Sequence, residues 1–140
     1  MIKTFEATKE EVRAHLRGAR SRITLSFDAW KSDNELHLLG IVAHFIDSAF
    51  EARVLLLALR NTFGSHGGQE QSYDIASVSR EFGTFDKGEL AWVIADNATN
   101  DDTTVRLLCE ELGTGNPEKM RLRCAGHIVN PRMQGDPLRR

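Results

Sequence analysis

Apolar residues recur along this chain with two different periods, and each change of period marks an element. Val12, Leu16 and Ala19 fall at helical spacing. Just before them "TKEE" (8–11) has the capping-box form that satisfies free amide donors at a helix start, so a helix is predicted over 9–20. In "SRITLSFDAW" the period drops to two. Ile23, Leu25 and Phe27 alternate with Thr24, Ser26 and Asp28, as in a strand with one buried face. "KSDNE" is turn chemistry, and "LHLLGIVAHFID" follows as a second strand. A turn near Asp47 to Ala49 leads into a third apolar run within "SAFEARVLLLALRN".

The character then changes. "TFGSHGGQE" is a glycine-rich loop, and Ile75, Val78 and Phe82 predict a helix over 69–82. "FGTFDKGE" breaks it. "LAWVIAD" is short and continuously apolar, the pattern of a fourth strand buried on both faces. "NATNDDTTVRLLCEELG" is a helix: Asn100 to Asp102 are its cap candidates, Val105, Leu108, Cys109 and Leu112 its stripe, and Gly113 its left-handed end. "TGNPEK" reads as a linker. "MRLRCAGHIVN" begins a further strand or helix, which Pro131 and "RMQGDPLRR" stop.

The order is one helix followed by β-β-β-α-β-α. Short connections make the first three strands an antiparallel meander, and the crossover helix returns the fourth beside the first, parallel to it. That is the ribonuclease H-like topology: an α/β fold with a mixed sheet and flanking helices. The expected organisation is a single partial core over 1–140, with the helix at 9–20, the core at 22–112, and a linker and tail at 113–140.

Composition narrows the class without naming a function. The 140 residues, 41% hydrophobic and 27% charged, suit one soluble domain with a real core. No run approaches the roughly 20 apolar residues that span a bilayer, and "MIKTFEATKEEV" has no apolar signal region, so a membrane or secreted protein is not expected. Two cysteines make no disulfide framework and fit a reducing intracellular compartment. The net charge of −2 carries no global signature of nucleic-acid binding. Basic residues are nonetheless uneven: Lys9, Arg13, Arg17 and Arg20 recur at helical spacing, and Lys119 to Arg140 holds six Lys or Arg against one acid, Asp136. A solvated face explains such a stripe, as does a surface that contacts phosphates.

The candidate chemistry lies at two strand ends. If the first and fourth strands are neighbours about 4.8 Å apart, "FDAW" and "IADN" lie side by side and Asp28 and Asp96 face one site. Two carboxylates suit a hard cation such as Mg²⁺, which keeps waters and substrate phosphate oxygens as its other ligands. A pair of such ions about 3.5–4 Å apart activates an attacking oxygen and stabilises the leaving one. The competing reading is that Asp96 only caps the helix after it.

These segments together resemble the catalytic core of hAT-superfamily DNA transposases. The resemblance rests on Asp28, Ala29 and Trp30 at the end of the first strand, and on His44, Phe45, Ile46 and Asp47 at the end of the second. It continues through the "SHGGQE" turn, Asp96, Asn97 and Ala98, and the Arg123, Cys124, His127 and Asn130 phrase. It implies a ribonuclease H-like core, Mg²⁺ or Mn²⁺, cut-and-paste transposition of DNA in the nucleus, and self-association into an oligomer. Asp28 and Asp96 would be the first two members of an Asp-Asp-Glu triad, with Arg123 and His127 near DNA. The family's third member, a Glu after a helical insertion beyond the Cys-x-x-His phrase, has no counterpart here. The expectation is therefore a truncated or decayed core, weak in metal binding and inactive in strand cleavage. A domesticated DNA-binding or interaction module is the second reading. A small nuclease with an internal third acid (Glu70, Glu81, Asp101 or Glu111) is the third.

Cys124 and His127 have the spacing of half a zinc site, but four ligands are needed and no good second half is present. Trp30 and Trp92 are expected in the core. The Gly64 to Gly68 run lacks the Lys-Ser/Thr ending of a nucleotide loop.

Overall fold

The computed structural model describes residues 2–64, 67–84, 90–96, 99–113 and 115–124. The elements run α1 (Ile2–Arg17), β1 (Thr24–Lys31), β2 (His37–Ile46), β3 (Ala52–Asn61), α2 (Gly68–Phe82), β4 (Val93–Ala95), α3 (Thr99–Leu112), α4 (Pro117–Met120) and β5 (Arg121–Arg123). The strands form one sheet in the order β3-β2-β1-β4-β5. β1–β2 and β2–β3 are antiparallel, whereas β1–β4 and β4–β5 are parallel. The mixed sheet with its fourth strand beside and parallel to the first is the expected architecture.

One face of the sheet holds the core. Leu25 and Phe27 of β1, Leu39, Ile41, Ala43 and Phe45 of β2, and Val93 and Ala95 of β4 are buried there. They meet Ile75, Val78 and Phe82 of α2 and Val105, Leu108 and Cys109 of α3 in a single cluster, which Leu16 of α1 joins. Helices α2 and α3 are tied further by a buried hydrogen bond in which Thr104 Oγ1 donates to Gln71 Oε1 at 3.1 Å. A register shift between Ile41 and Val42 leaves Leu57 unpaired in β3. The bulge turns Leu57 and Ala58 both towards the core, so Leu56 and Leu59, three apart, share the opposite face.

Several local expectations change. α1 begins at Ile2, so "TKEE" lies inside the helix instead of capping it. Its basic stripe is largely paired within the fold: Lys9 with Glu81, Arg13 with Glu10 and the Phe82 ring, Arg17 with Glu10, and Arg20 over the Phe50 ring. Residues Asn100 to Asp102 sit in the first turn of α3, not before it. The predicted linker contains α4, opened by Asn116, whose side chain accepts from the Glu118 amide at 2.9 Å. β5 then joins the sheet edge. β4 is buried on one face only, since Ile94 is partly open where Val93 and Ala95 are closed. Trp30 and Trp92 are exposed, not core residues. Trp30 in β1, and Trp92 just before β4, have the parity that faces away from the helices.

Two backbone-level predictions follow from this packing. Leu25 is wholly buried on the central strand, so Leu25→Ala is expected to lower unfolding stability by about 2–5 kcal/mol in urea titration. Gly83 ends α2 at φ 65°, with its amide on the Arg80 carbonyl. Gly83→Ala should cost about 1 kcal/mol in the same assay, because a Cβ is strained in that conformation.

Candidate active site

Alternation along β1 fixes where its carboxylate points. Leu25 and Phe27 turn to the core, so Ser26 and Asp28 turn to the face without helices. The parallel pairing matches Leu25 with Val93 and Ser26 with Ile94. Continuing that register two residues places Asp28 beside Asp96, just past the end of β4. Both line one trough of about 440 Å³, together with Trp30, Gly40, Leu56 and Cys124. The sequence expectation that strand order brings these two residues to one place is thus matched by their positions. Gly40, the cross-strand partner of Asp28, is needed small: a Cβ there would lie 3.2 Å from the Trp30 ring.

A third carboxylate stands next to the pair. Asp101, in the first turn of α3, is 8% exposed and hydrogen-bonds through its side chain to Asp96. Burial pushes its pKa up to about 7, the shared hydrogen bond and the negative charge of Asp96 push the same way, and Asp28 adds a smaller push. The guanidinium of Arg121 opposes them. In this arrangement Asp101 is the partner that carries the proton and donates it to Asp96.

Arg121 holds the cluster together. From the start of β5 its Nη2 donates to the Asp96 carbonyl at 2.8 Å, and its guanidinium pairs with Asp102 in the first turn of α3. The Cys124 amide donates to the Ala95 carbonyl at 2.9 Å, which extends the β5–β4 contact to the end of the carboxylate strand. Sequence reading missed Arg121. Its signal was confined to a basic residue in a short segment, and only the sheet shows that this segment is a strand beside β4.

The other acids considered as a third ligand lie elsewhere. Glu81 is held by Lys9 and Arg60, which, with Arg13, lower its pKa against the opposing effect of burial. Glu111 pairs with Arg80, and Glu70 is exposed in the first turn of α2 against Gly67. Among the described residues, no group of three His, Cys, Asp or Glu has a metal-holding arrangement. Asp28 and Asp96 are the two carboxylates that the expected Mg²⁺ or Mn²⁺ ion would have there, with waters and phosphate oxygens completing its shell. Arg123, a candidate DNA contact, is exposed on β5. His127, Asn97, Ala98, His66 and the second half of the Cys-x-x-His phrase lie outside the described residues. Ser26 Oγ and His44 Nε2 are 2.7 Å apart on the same face, and burial lowers the pKa of His44.

Fold and carboxylate placement together define an RNase-like domain with a mixed five-stranded sheet. The family model of the ZBED1 RNase-like domain matches residues 26–125, so the chain belongs to that hAT-related family. It is also 24% identical over 113 residues to the "Putative transcriptional regulator tpeD" of Talaromyces stipitatus. That alignment covers 78% of this chain and 13% of the relative, so the chain spans a small part of the curated protein it matches. No helix among the described residues is long and apolar enough to cross a membrane.

The raised pKa of Asp101 has a signed consequence for stability. Below the unfolded value of 3.8 the acid is protonated in both states. As pH rises the unfolded chain ionises first, while the folded protein keeps the proton until about 7, so stability is lost through that window. Asp101→Asn keeps a donor towards Asp96 and removes the ionisation. In buffer containing a chelator it should be more stable than wild type by about 1–3 kcal/mol near pH 8, and the difference should vanish towards pH 4. Urea titrations across that range give the slope directly.

Proposed function

We propose that this chain is the RNase-like module of a DNA-associated regulatory protein of transposase descent, keeping a two-carboxylate divalent-metal site without cutting DNA strands. The observation that carries this reading is the arrangement of the three acids. Asp28 and Asp96 line the trough, but Asp101 is turned onto Asp96 by a hydrogen bond instead of standing as an independent third ligand. Family membership supports the descent, and the name of the Talaromyces relative supports the regulatory context.

In this reading Asp28 and Asp96 hold the ion and Arg121 fixes the main chain of Asp96. A Mg²⁺ or Mn²⁺ ion held there would supply electrostatic attraction for phosphate oxygens. Asp101 keeps one proton in the cluster, which lowers the negative charge that it and Asp96 present together. In this reading Arg123, on the neighbouring edge strand, meets a DNA phosphate. Action at DNA also implies a nuclear location in a eukaryotic cell.

Manganese binding followed by water-proton relaxation should give a Kd of about millimolar, lost in both Asp28→Ala and Asp96→Ala. Supercoiled plasmid incubated with the protein and Mn²⁺ should stay intact. Nicking that disappears in Asp28→Ala would show an active enzyme and overturn the non-cleaving reading. Retention of Mn²⁺ binding in both variants would remove the metal site.

A further inference from the structure

Ion pairs absorb most arginines of the described residues. Arg13 and Arg17 take Glu10, Arg53 takes Asp47 and Glu51, and Arg60 takes Asp74. Arg20 and Arg22 differ. Both are exposed in the segment that joins α1 to β1, and neither has an ion pair among the described residues. Arg20 stands over the Phe50 ring at 4.9 Å, which brings its charge to the turn between β2 and β3.

Arg20 and Arg22 line one cavity of about 590 Å³, and Ser48 joins them there from that turn. Ser48 is exposed, and its hydroxyl holds no partner among the described residues. The two segments are already fastened at the backbone. The Arg20 amide donates to the Ile46 carbonyl at 2.8 Å, and the Ile46 amide donates to Ser21 Oγ at 2.9 Å. The acids of the turn are committed elsewhere: Asp47 Oδ1 accepts from the Ala49 and Glu51 amides at 2.8 and 3.0 Å, and Arg53 takes its Oδ2. The cavity therefore has two cations and a hydroxyl, and no carboxylate lines it.

The residues around Ser48 carry the other half of the case. "DSAFE" (47–51) puts Glu51 three places after the serine. An acid at that place is the determinant that acidophilic protein kinases recognise. We infer that Ser48 is a phosphorylation site whose phosphate is held by Arg20 and Arg22. In the transfer Ser48 Oγ bonds to the γ-phosphorus of ATP, the bond to the β,γ-bridging oxygen breaks, and ADP leaves. The hydroxyl proton passes to the base of the kinase. The product brings a charge of about −1.5 to −2 and three acceptor oxygens to the two guanidinium groups. Guanidinium forks match phosphate oxygens in pairs, so these contacts are strong and directional. Phosphorylation thus clamps the segment after α1 onto the β2–β3 turn, at the end of β1 remote from Asp28. The inference is independent of the carboxylate site.

Two experiments on the whole chain test it. Incubation with a recombinant acidophilic Ser/Thr kinase and MgATP should add phosphate at Ser48, located by tandem mass spectrometry. Ser48→Ala should abolish this incorporation, and Glu51→Gln should slow it about tenfold. Protein with phosphoserine genetically encoded at position 48 should melt about 3 °C or more above the unmodified chain. Its phosphorus NMR titration should fall below the ordinary second pKa of about 6. Both shifts should vanish when Arg20→Gln and Arg22→Gln are combined, with the unmodified double variant as the folding control. A wild type that the kinase leaves unmodified, or incorporation that persists in Ser48→Ala, overturns the site. An ordinary phosphate titration, or one equally shifted in the double variant, overturns the arginine clasp.

Discussion

The parallel pairing of β1 with β4 is the constraint on which the rest of this molecule depends. It is short: two paired positions, flanked by the Leu25 amide on the Trp92 carbonyl at 3.0 Å and the Ala91 amide on the Ile23 carbonyl at 2.8 Å. Strands β1 to β3 are hairpin-connected and would be neighbours in many folds. Only the return of the chain through α2 to a parallel neighbour makes this sheet mixed. That return seats Val93 and Ala95 in the same core layer as Leu25 and Phe27. It also brings Asp96 alongside Asp28, far apart in sequence and adjacent in space. A three-residue strand is a weak anchor, and β5 reinforces it from the far side through Arg121 and the Cys124 amide.

Putting three carboxylates at one strand end works against folding. One guanidinium, that of Arg121, faces Asp96, Asp101 and Asp102, and it makes its firmest contacts with the Asp96 main chain and Asp102. The remaining repulsion between Asp96 and Asp101 is relieved by a shared proton instead of a further cation. Sites with unbalanced charge of this kind are more often functional than structural, because a fold under no other demand would replace one acid with a neutral residue. Here the replacement most compatible with the geometry is at Asp101, the member that already behaves as a neutral donor.

Much of this was legible in the residues, and the exceptions have physical causes. The strict alternation of Ile23 to Asp28 and the apolar run before Asp96 gave both strands and the side of β1 on which Asp28 lies. Order alone then gave their adjacency. The start of α1 was missed because a capping box is a local pattern, and Thr8 in "TKEE" stands equally well inside a helix that begins earlier. Asn100 to Asp102 were read as caps by the same local logic, which hid the contact of Asp101 with Asp96. Trp30 and Trp92 were assigned to the core because large aromatics usually are buried. Strand parity argued otherwise, since Trp30 follows Ser26 and Asp28 on the open face. Arg121 went unread and β5 stayed open between strand and helix, because a three-residue edge strand has too few positions to show a period.

The strands nevertheless carry a signal for a second layer. "VLLLAL" in β3 and "WVIA" into β4 are apolar at both parities, the pattern of strands covered on both faces. Had these strands evolved towards open water on one side, Leu56, Leu59 and Trp92 would be the positions to become polar, as Thr24 and Ser26 are on the same face of β1. Their retention is the pattern of a face that meets another apolar surface. Since Asp28 and Asp96 lie at its margin, the cover also decides what those carboxylates meet. An apolar cover over that margin excludes water from the pair, whereas an open margin leaves them to a hydrated cation and the phosphates it brings. The chemistry of the acids and the occupancy of the apolar face are therefore one question, coupled through the residue that follows β4.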